Sequence, residues 1–316
     1  MKLRFPLLAA ALALASTGCD DGSGPSFDVD FPFFYLQDID TAGEPVSCCF
    51  LSASGDAVAA AGSHLYFIDH EQGYVLADIP LGQPVSAVGA SAEGGYAMAT
   101  AGVLFYHISD ATYVVHEALV LASGGLAILT KPTSTIAWVL CDGGLVATVS
   151  TSTWNVTAYD TIAVSHPSTA AVDESGSCIF VADDADGTVK QYSTAGFGLL
   201  AQEEIPGGAT DLYADPLEGV WVSCGEAAGL WHLDSGTGLH DYTVPVSQSV
   251  QTLAVSADGS YFYASSTATV SVYDASGAVQ ASTQSYGQAS DIVLSADGDR
   301  GALCAPDLYS VVMLYK

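Results

Sequence analysis

The strongest constraint on this 316-residue chain is a repeat. The segments "LSASGDAVAAAG", "ASAEGGYAMATAG", "VDESGSCIFVAD", "SADGSYFYASST" and "SADGDRGALCAP" share a small-polar turn with glycine, then an apolar strand. "ADPLEGVWVSCG" fits with one extra residue. The marker glycines are Gly55, Gly94, Gly176, Gly219, Gly259 and Gly298. They recur about every 40 residues, with one double-length gap in which "LTKPTSTIAWVLCD" supplies a unit with Thr133 at the marker position. A unit this short cannot bury its apolar face alone, so the units must stack on one another.

One unit, Pro84 to Gly124, shows the content. "PVSAVGAS" is a short apolar strand, "AEGG" a turn and "YAMATAG" a second strand. "VLFYHISD" alternates apolar with polar residues as a third, half-buried strand does, and "ATYVVHEALVLAS" supplies a fourth. Four antiparallel strands in about 40 residues make one blade of a β-propeller. Inner strands are expected at Val46–Ser52, Val85–Ser91, Leu126–Thr130, Ser168–Val172, Ala209–Tyr213, Val250–Ser256 and Ala289–Ser295. The chain therefore reads as all-β, a seven-bladed propeller over residues 31–316. The seventh unit has only three strands before Lys316, while an orphan strand, "FFYLQDIDTAGEP" (Phe33 to Pro45), precedes the first. It parallels "GYVLADIPLGQP" (Gly73 to Pro84), the fourth strand of the first blade. The N-terminal segment is thus expected to complete the last blade, closing the ring and removing a free edge.

"HLYFIDHEQGYVLADIPLGQPVSAVGASAEGGYAMAT" resembles the YVTN-type repeat of seven-bladed propellers, through Ile68-Asp69, Ile79, Gly82, Pro84, Ser91 and Gly94. "SVYDASG" (Ser271–Gly277) and "LAVSADGSYFYAS" (Leu253–Ser265) match again. The resemblance covers roughly Phe31 to Lys316 and departs most in the third unit, which lacks the Asp-Gly turn. It implies the fold. It leaves function open, because such rings serve as binding modules, scaffolds and enzymes.

The first residues, "MKLRFPLLAAALALASTGC", read as an export leader: Lys2 and Arg4 precede an apolar run, Phe5 to Ala15, too short to span a membrane. "STGC" followed by "DDGSGPS" resembles a bacterial lipoprotein box. On that reading, residues 1–19 end at a lipidated Cys19 and residues 20–30 form a flexible tether. The ring is then held at the cell envelope, facing the periplasm or the exterior. Cleavage after Ala15 is the alternative and gives a secreted, soluble protein.

Charge narrows the partners. Asp and Glu number 35 against 6 Lys and Arg, a net charge of −29. Loss of Lys2 and Arg4 with the leader makes this two units more negative. Such a surface repels nucleic acid and anionic headgroups, so membrane contact is expected only through the N-terminal lipid. The expected partner is a protein or small-molecule ligand at a mouth of a monomeric ring. The loops placed there are Leu81–Pro84, Pro206–Thr210 and Gly287–Ser290.

No catalytic residues are assigned: the chain has no G-x-S-x-G elbow, no phosphate loop and no C-x-x-C. Its seven histidines are read as surface or packed residues. "DDADG" (Asp183–Gly187) resembles part of a calcium loop through Asp183, Asp184 and Asp186, but it lacks the remaining ligands and also suits an ordinary turn. Calcium is the one cofactor the sequence offers; otherwise none is expected. Cys141, Cys224 and Cys304 are read at equivalent second-strand positions in blades three, five and seven. These blades are not neighbours, so the three cannot bridge one another. Cys304 with Cys48 or Cys49 remains as a disulfide that would lock the closure. The expected function is a binding or scaffolding module. The alternative is a lactonase-like hydrolase acting on a small neutral or cationic substrate in the central channel. Converging His, Asp or Glu side chains would favour the hydrolase, and a channel of Ala, Ser, Thr and Val the binding module.

Overall fold

In the computed structural model the described residues run from 35 to 315. Short stretches at 52–53, 92–94, 131–133, 226–228, 268, 285–287, 296–297 and 299 are excepted. The leader, Cys19 and the 20–30 tether lie outside them, as do Gly94 and Thr133.

Seven four-stranded antiparallel sheets form a seven-bladed β-propeller. The inner strands are Pro45–Phe50 (blade 1), Val85–Ala90 (blade 2), Gly125–Thr130 (blade 3), Pro167–Val172 (blade 4), Ala209–Ala214 (blade 5), Thr252–Val255 (blade 6) and Asp291–Leu294 (blade 7). Each agrees with its expected segment to within a few residues. The turn after the inner strand contains a left-handed glycine in blades 1, 4, 5, 6 and 7, where Gly55, Gly176, Gly219, Gly259 and Gly298 have φ between +65° and +94°. At Gly219 a Cβ would fall 2.3 Å from the Leu233 carbonyl, so a side chain is excluded there on steric grounds as well.

Blade 7 is completed as expected by Tyr35–Asp40, which pairs with Ser310–Tyr315 from Tyr35↔Tyr315 to Asp40↔Ser310. Just beyond, the Thr41 amide and hydroxyl both donate to the Tyr309 carbonyl, at 2.8 and 2.9 Å.

The core lies between blades, because each sheet is covered on both faces. Second strands accordingly read as unbroken apolar runs: Ala57–Ala61 (AVAAA) is buried throughout. Alternation sends Ala57, Ala59 and Ala61 toward blade 7 and Val58 and Ala60 toward blade 2. Larger side chains fill the other junctions, such as Phe105 against Trp154 between blades 2 and 3 and Trp221 against Phe262 between blades 5 and 6. Burying each such side chain contributes about 1.5–3 kcal/mol.

Candidate functional site: the central channel

The inner strands surround a cavity of about 560 Å3. Most of its wall is Val, Ala, Ser, Thr and Leu, and its titratable groups are Asp211, Asp291, Tyr213, Cys48 and Cys49. Of the three loops expected at a mouth, two reach it, through Thr210 and Ser290, and no residue of Leu81–Pro84 lines it. Position 287 of the third loop lies outside the described residues.

A local irregularity of the inner strand sets the wall chemistry. In blades 1 to 5 the ladder between inner and second strands slips near its start, for example between Ala209 and Asp211. A bulge releases one residue from the ladder and lets its side chain reach sideways. That residue is Ser86 in blade 2 and Thr210 in blade 5; Ser290 holds the matching place in blade 7. Each hydroxyl donates to a carbonyl of the next blade: Ser86 to Gly125 at 2.6 Å, Thr210 to Val250 at 2.7 Å and Ser290 to Pro45 at 2.9 Å.

Side chains at the next position bond across the junctions of blades 4–5, 5–6, 7–1 and 1–2. That position is Thr169, Asp211, Thr252, Asp291 and Ser47 in blades 4, 5, 6, 7 and 1, and alanine (Ala87, Ala127) in blades 2 and 3. Asp211 Oδ1 accepts from the Leu212 amide (2.8 Å) and the Thr169 hydroxyl (3.3 Å). Its Oδ2 accepts from the Thr252 hydroxyl (2.7 Å) and the Leu253 amide (3.1 Å) of blade 6. Asp291 Oδ2 accepts from the Cys48 amide of blade 1 at 2.8 Å. Both carboxyls line the cavity and are half-buried. Burial therefore raises the Asp211 pKa, and burial together with the charge of Asp211 pushes Asp291 up to about 7. Burial and the same two acids push Tyr213 up to about 12.

The two carboxylates are thus occupied between blades, and no imidazole faces the channel wall. His64, His107 and His232 lie on third strands, and the other histidines on outer strands or turns. His232 is the one buried deeply. Its Nδ1 meets Asp241 at 2.7 Å and its Nε2 lies 2.7 Å from the Glu218 carbonyl and 3.1 Å from Asp215, which also accepts from the Trp221 indole. Burial opposes its charge, but the bonds to Asp215 and Asp241 prevail and hold its pKa above the usual value. The group braces blade 5 and does not reach the channel.

The "DDADG" segment forms the expected turn between second and third strands of blade 4. Its cation is Lys190, whose Nζ lies 2.7 Å from Asp183 and 3.0 Å from Asp186 and donates to the Ala163 carbonyl. Burial works against the Asp183 charge, yet Lys190 and three backbone amides, those of His166, Ser165 and Ala185, hold its carboxyl well below the usual range. Asp184 instead accepts from the Ser168 hydroxyl at 2.7 Å. Among the described residues no group of three or more His, Cys, Asp or Glu is arranged to hold a metal ion.

The cysteines need one correction. Cys141 and Cys224 are equivalent, opposite the start of the inner strand at Gly125 and Ala209. Cys304 is opposite Asp291, one position earlier along its strand, so its side chain projects to the other face of its blade. It belongs with Thr100, Ser223 and Ser265.

Sequence reasoning did not pick out Asp211, Asp291, Lys190 or His232 as structural centres. A signal was present only for the first two: "ATDL" and "ASDI" place a hydroxyl residue and an aspartate at the same point of two repeats. No protein-family model matches this chain, and no curated protein is significantly similar to it, so the propeller is established by the strands and their pairing.

Proposed function

We propose that this propeller is an exported binding or scaffolding module of the YVTN-repeat type, anchored at the cell envelope through a lipid on Cys19 and acting as a monomer. The observation that carries the reading is the channel wall. It offers a rigid polar cavity of hydroxyls and small apolar groups, while its two carboxylates bond to neighbouring blades instead of converging on one point. A neutral or cationic ligand suits the acidic ring, and anions are repelled. The loop at Pro206–Thr210 is the entrance.

Mass spectrometry of the mature N-terminus tests the anchor: diacylglyceryl-Cys19 is expected, and a chain starting at Ser16 overturns it. A panel of neutral lactones tests the binding role against hydrolysis. No turnover above the buffer rate is expected; turnover that disappears in Asp291→Asn would establish the hydrolase instead.

A further inference from the structure

The seam between blades 7 and 1 contains two thiols that the geometry singles out. Residues alternate faces along a strand, so Cys48 and Cys49 point to opposite sides of blade 1. Cys48 packs in the seam cluster with Ala302, Cys304, Val311 and Met313, whereas Cys49 packs against the blade 1–blade 2 cluster. The one-residue offset of Cys304 matters here. Cys141 and Cys224 face the preceding blade of their junctions, with Ala137 and Val139 and with Val220 and Val222, whereas Cys304 faces the following one. Asp291 ties the two positions together: it sits directly opposite Cys304 in its own sheet and accepts from the Cys48 amide. Cys48 Sγ lies 3.6 Å from the Ala302 carbonyl, two residues from Cys304, and both thiols are buried in the same seam cluster. All six described cysteines are free thiols in the structure.

We propose that Cys48 and Cys304, and not Cys49, form a disulfide that closes the ring covalently. The oxidant is a disulfide R–S–S–R, either oxidised glutathione or the active-site disulfide of a thiol oxidase. One cysteine thiolate attacks it and expels R–S⁻; the second attacks the resulting mixed disulfide and expels the other R–S⁻. The two protons lost by the cysteines go to the two expelled thiolates, so the protein is oxidised by two electrons and two R–SH are released. Cys48 is 4% exposed and Cys304 0%, so the exchange takes place before the seam buries them, as the last blade docks on the first.

The test compares chain prepared in an oxidising compartment with the same preparation reduced by dithiothreitol while denatured and then refolded. Free thiols are alkylated in denaturant and the peptides are mapped by mass. In the oxidised sample Cys304 is expected in a linked peptide with the Cys48–Cys49 segment, the intact chain lighter by two hydrogens, and Cys141, Cys178 and Cys224 alkylated. Cys49→Ala keeps the link and Cys48→Ala loses it. The linked form unfolds about tenfold more slowly than the reduced form, because the bond restrains the opened ring. The proposal is overturned if Cys48 and Cys304 are fully alkylated in the oxidised preparation, if the link joins two chains, or if it survives in Cys48→Ala. If Cys48→Ala does not fold, the map of Cys49→Ala still decides.

Discussion

The junction between blades 5 and 6 and the seam between blades 7 and 1 are held by the same chemistry across very different lengths of chain. At both, a hydroxyl donates to the next blade's carbonyl and the following aspartate accepts that blade's amide. The bonds of the first join residues 40 and 42 positions apart, and those of the second residues 245 and 243 positions apart. On loop entropy alone the seam costs about 1.5 kcal/mol more to close. The seam is also the junction to which the fold adds an element, the strand Tyr35–Asp40 on the outside of blade 7. The inter-blade stitches are local and interchangeable, and the long-range cost of making a ring is met by the donated strand.

Deleting residues 35–41 attacks that difference most directly. The seam should open and cooperative melting should be lost, a cost on the order of 5 kcal/mol or more, comparable with the whole stability of many domains. A truncated chain whose circular-dichroism melt matches the full-length one would mean the seam is no weaker than any other junction.

Next in size come the two aspartates. Asp211→Ala strands the Leu253 and Leu212 amides and two threonine hydroxyls, for an expected loss of about 3 kcal/mol in urea unfolding. Asp291→Ala should cost only about 1–2 kcal/mol near neutral pH, because the charge it removes is itself unfavourable there. Equal losses would refute the distinction.

The third effect is pH dependence confined to the seam. The folded ring keeps a proton on Asp291 up to about pH 7, whereas the unfolded chain releases it near the ordinary value of 3.8. Between those values the native state binds more protons, so this group's contribution is fully present below about pH 3.8, declines from there and is lost as pH rises through 7. The groups facing it are Asp211, Tyr213, Cys48, Cys49 and Cys304. Asp291→Asn should flatten the fall in Tm between pH 5.5 and 8, by roughly 2–4 °C; an unchanged slope in the variant would assign the fall to general repulsion among the acids. The smallest expected effect is that of the hydroxyls. Ser290→Ala and Ser86→Ala should each cost about 1 kcal/mol, with Ser290→Ala also speeding unfolding if the seam opens first.

The blades, their number and the donated strand could be read in the sequence because a period of about 40 residues and strand alternation are local signals. Of the three loops expected at a mouth, two end at a cavity-lining residue, Thr210 and Ser290, each one residue short of Asp211 and Asp291. An aspartate in a strand resembles a solvent-facing residue until the bulge turns it toward the next blade. The His232 group was hidden for another reason: Asp215 comes from a turn and Asp241 from the neighbouring strand, and only register joins them. Distance from the marker glycine does not give the face: Cys304 stands six residues after Gly298 and Cys224 five after Gly219, yet Cys304 lies one step earlier in its ladder, and a single step along a strand reverses the face.

The pairing of Tyr35–Asp40 with Ser310–Tyr315 also has a temporal meaning. A ribosome makes the first of these strands long before the second exists. The strand Tyr35–Asp40 must therefore remain unmated through synthesis of six full blades, and the final docking step waits for Ser310–Tyr315. Productive maturation thus depends on keeping one nascent strand from joining a stranger.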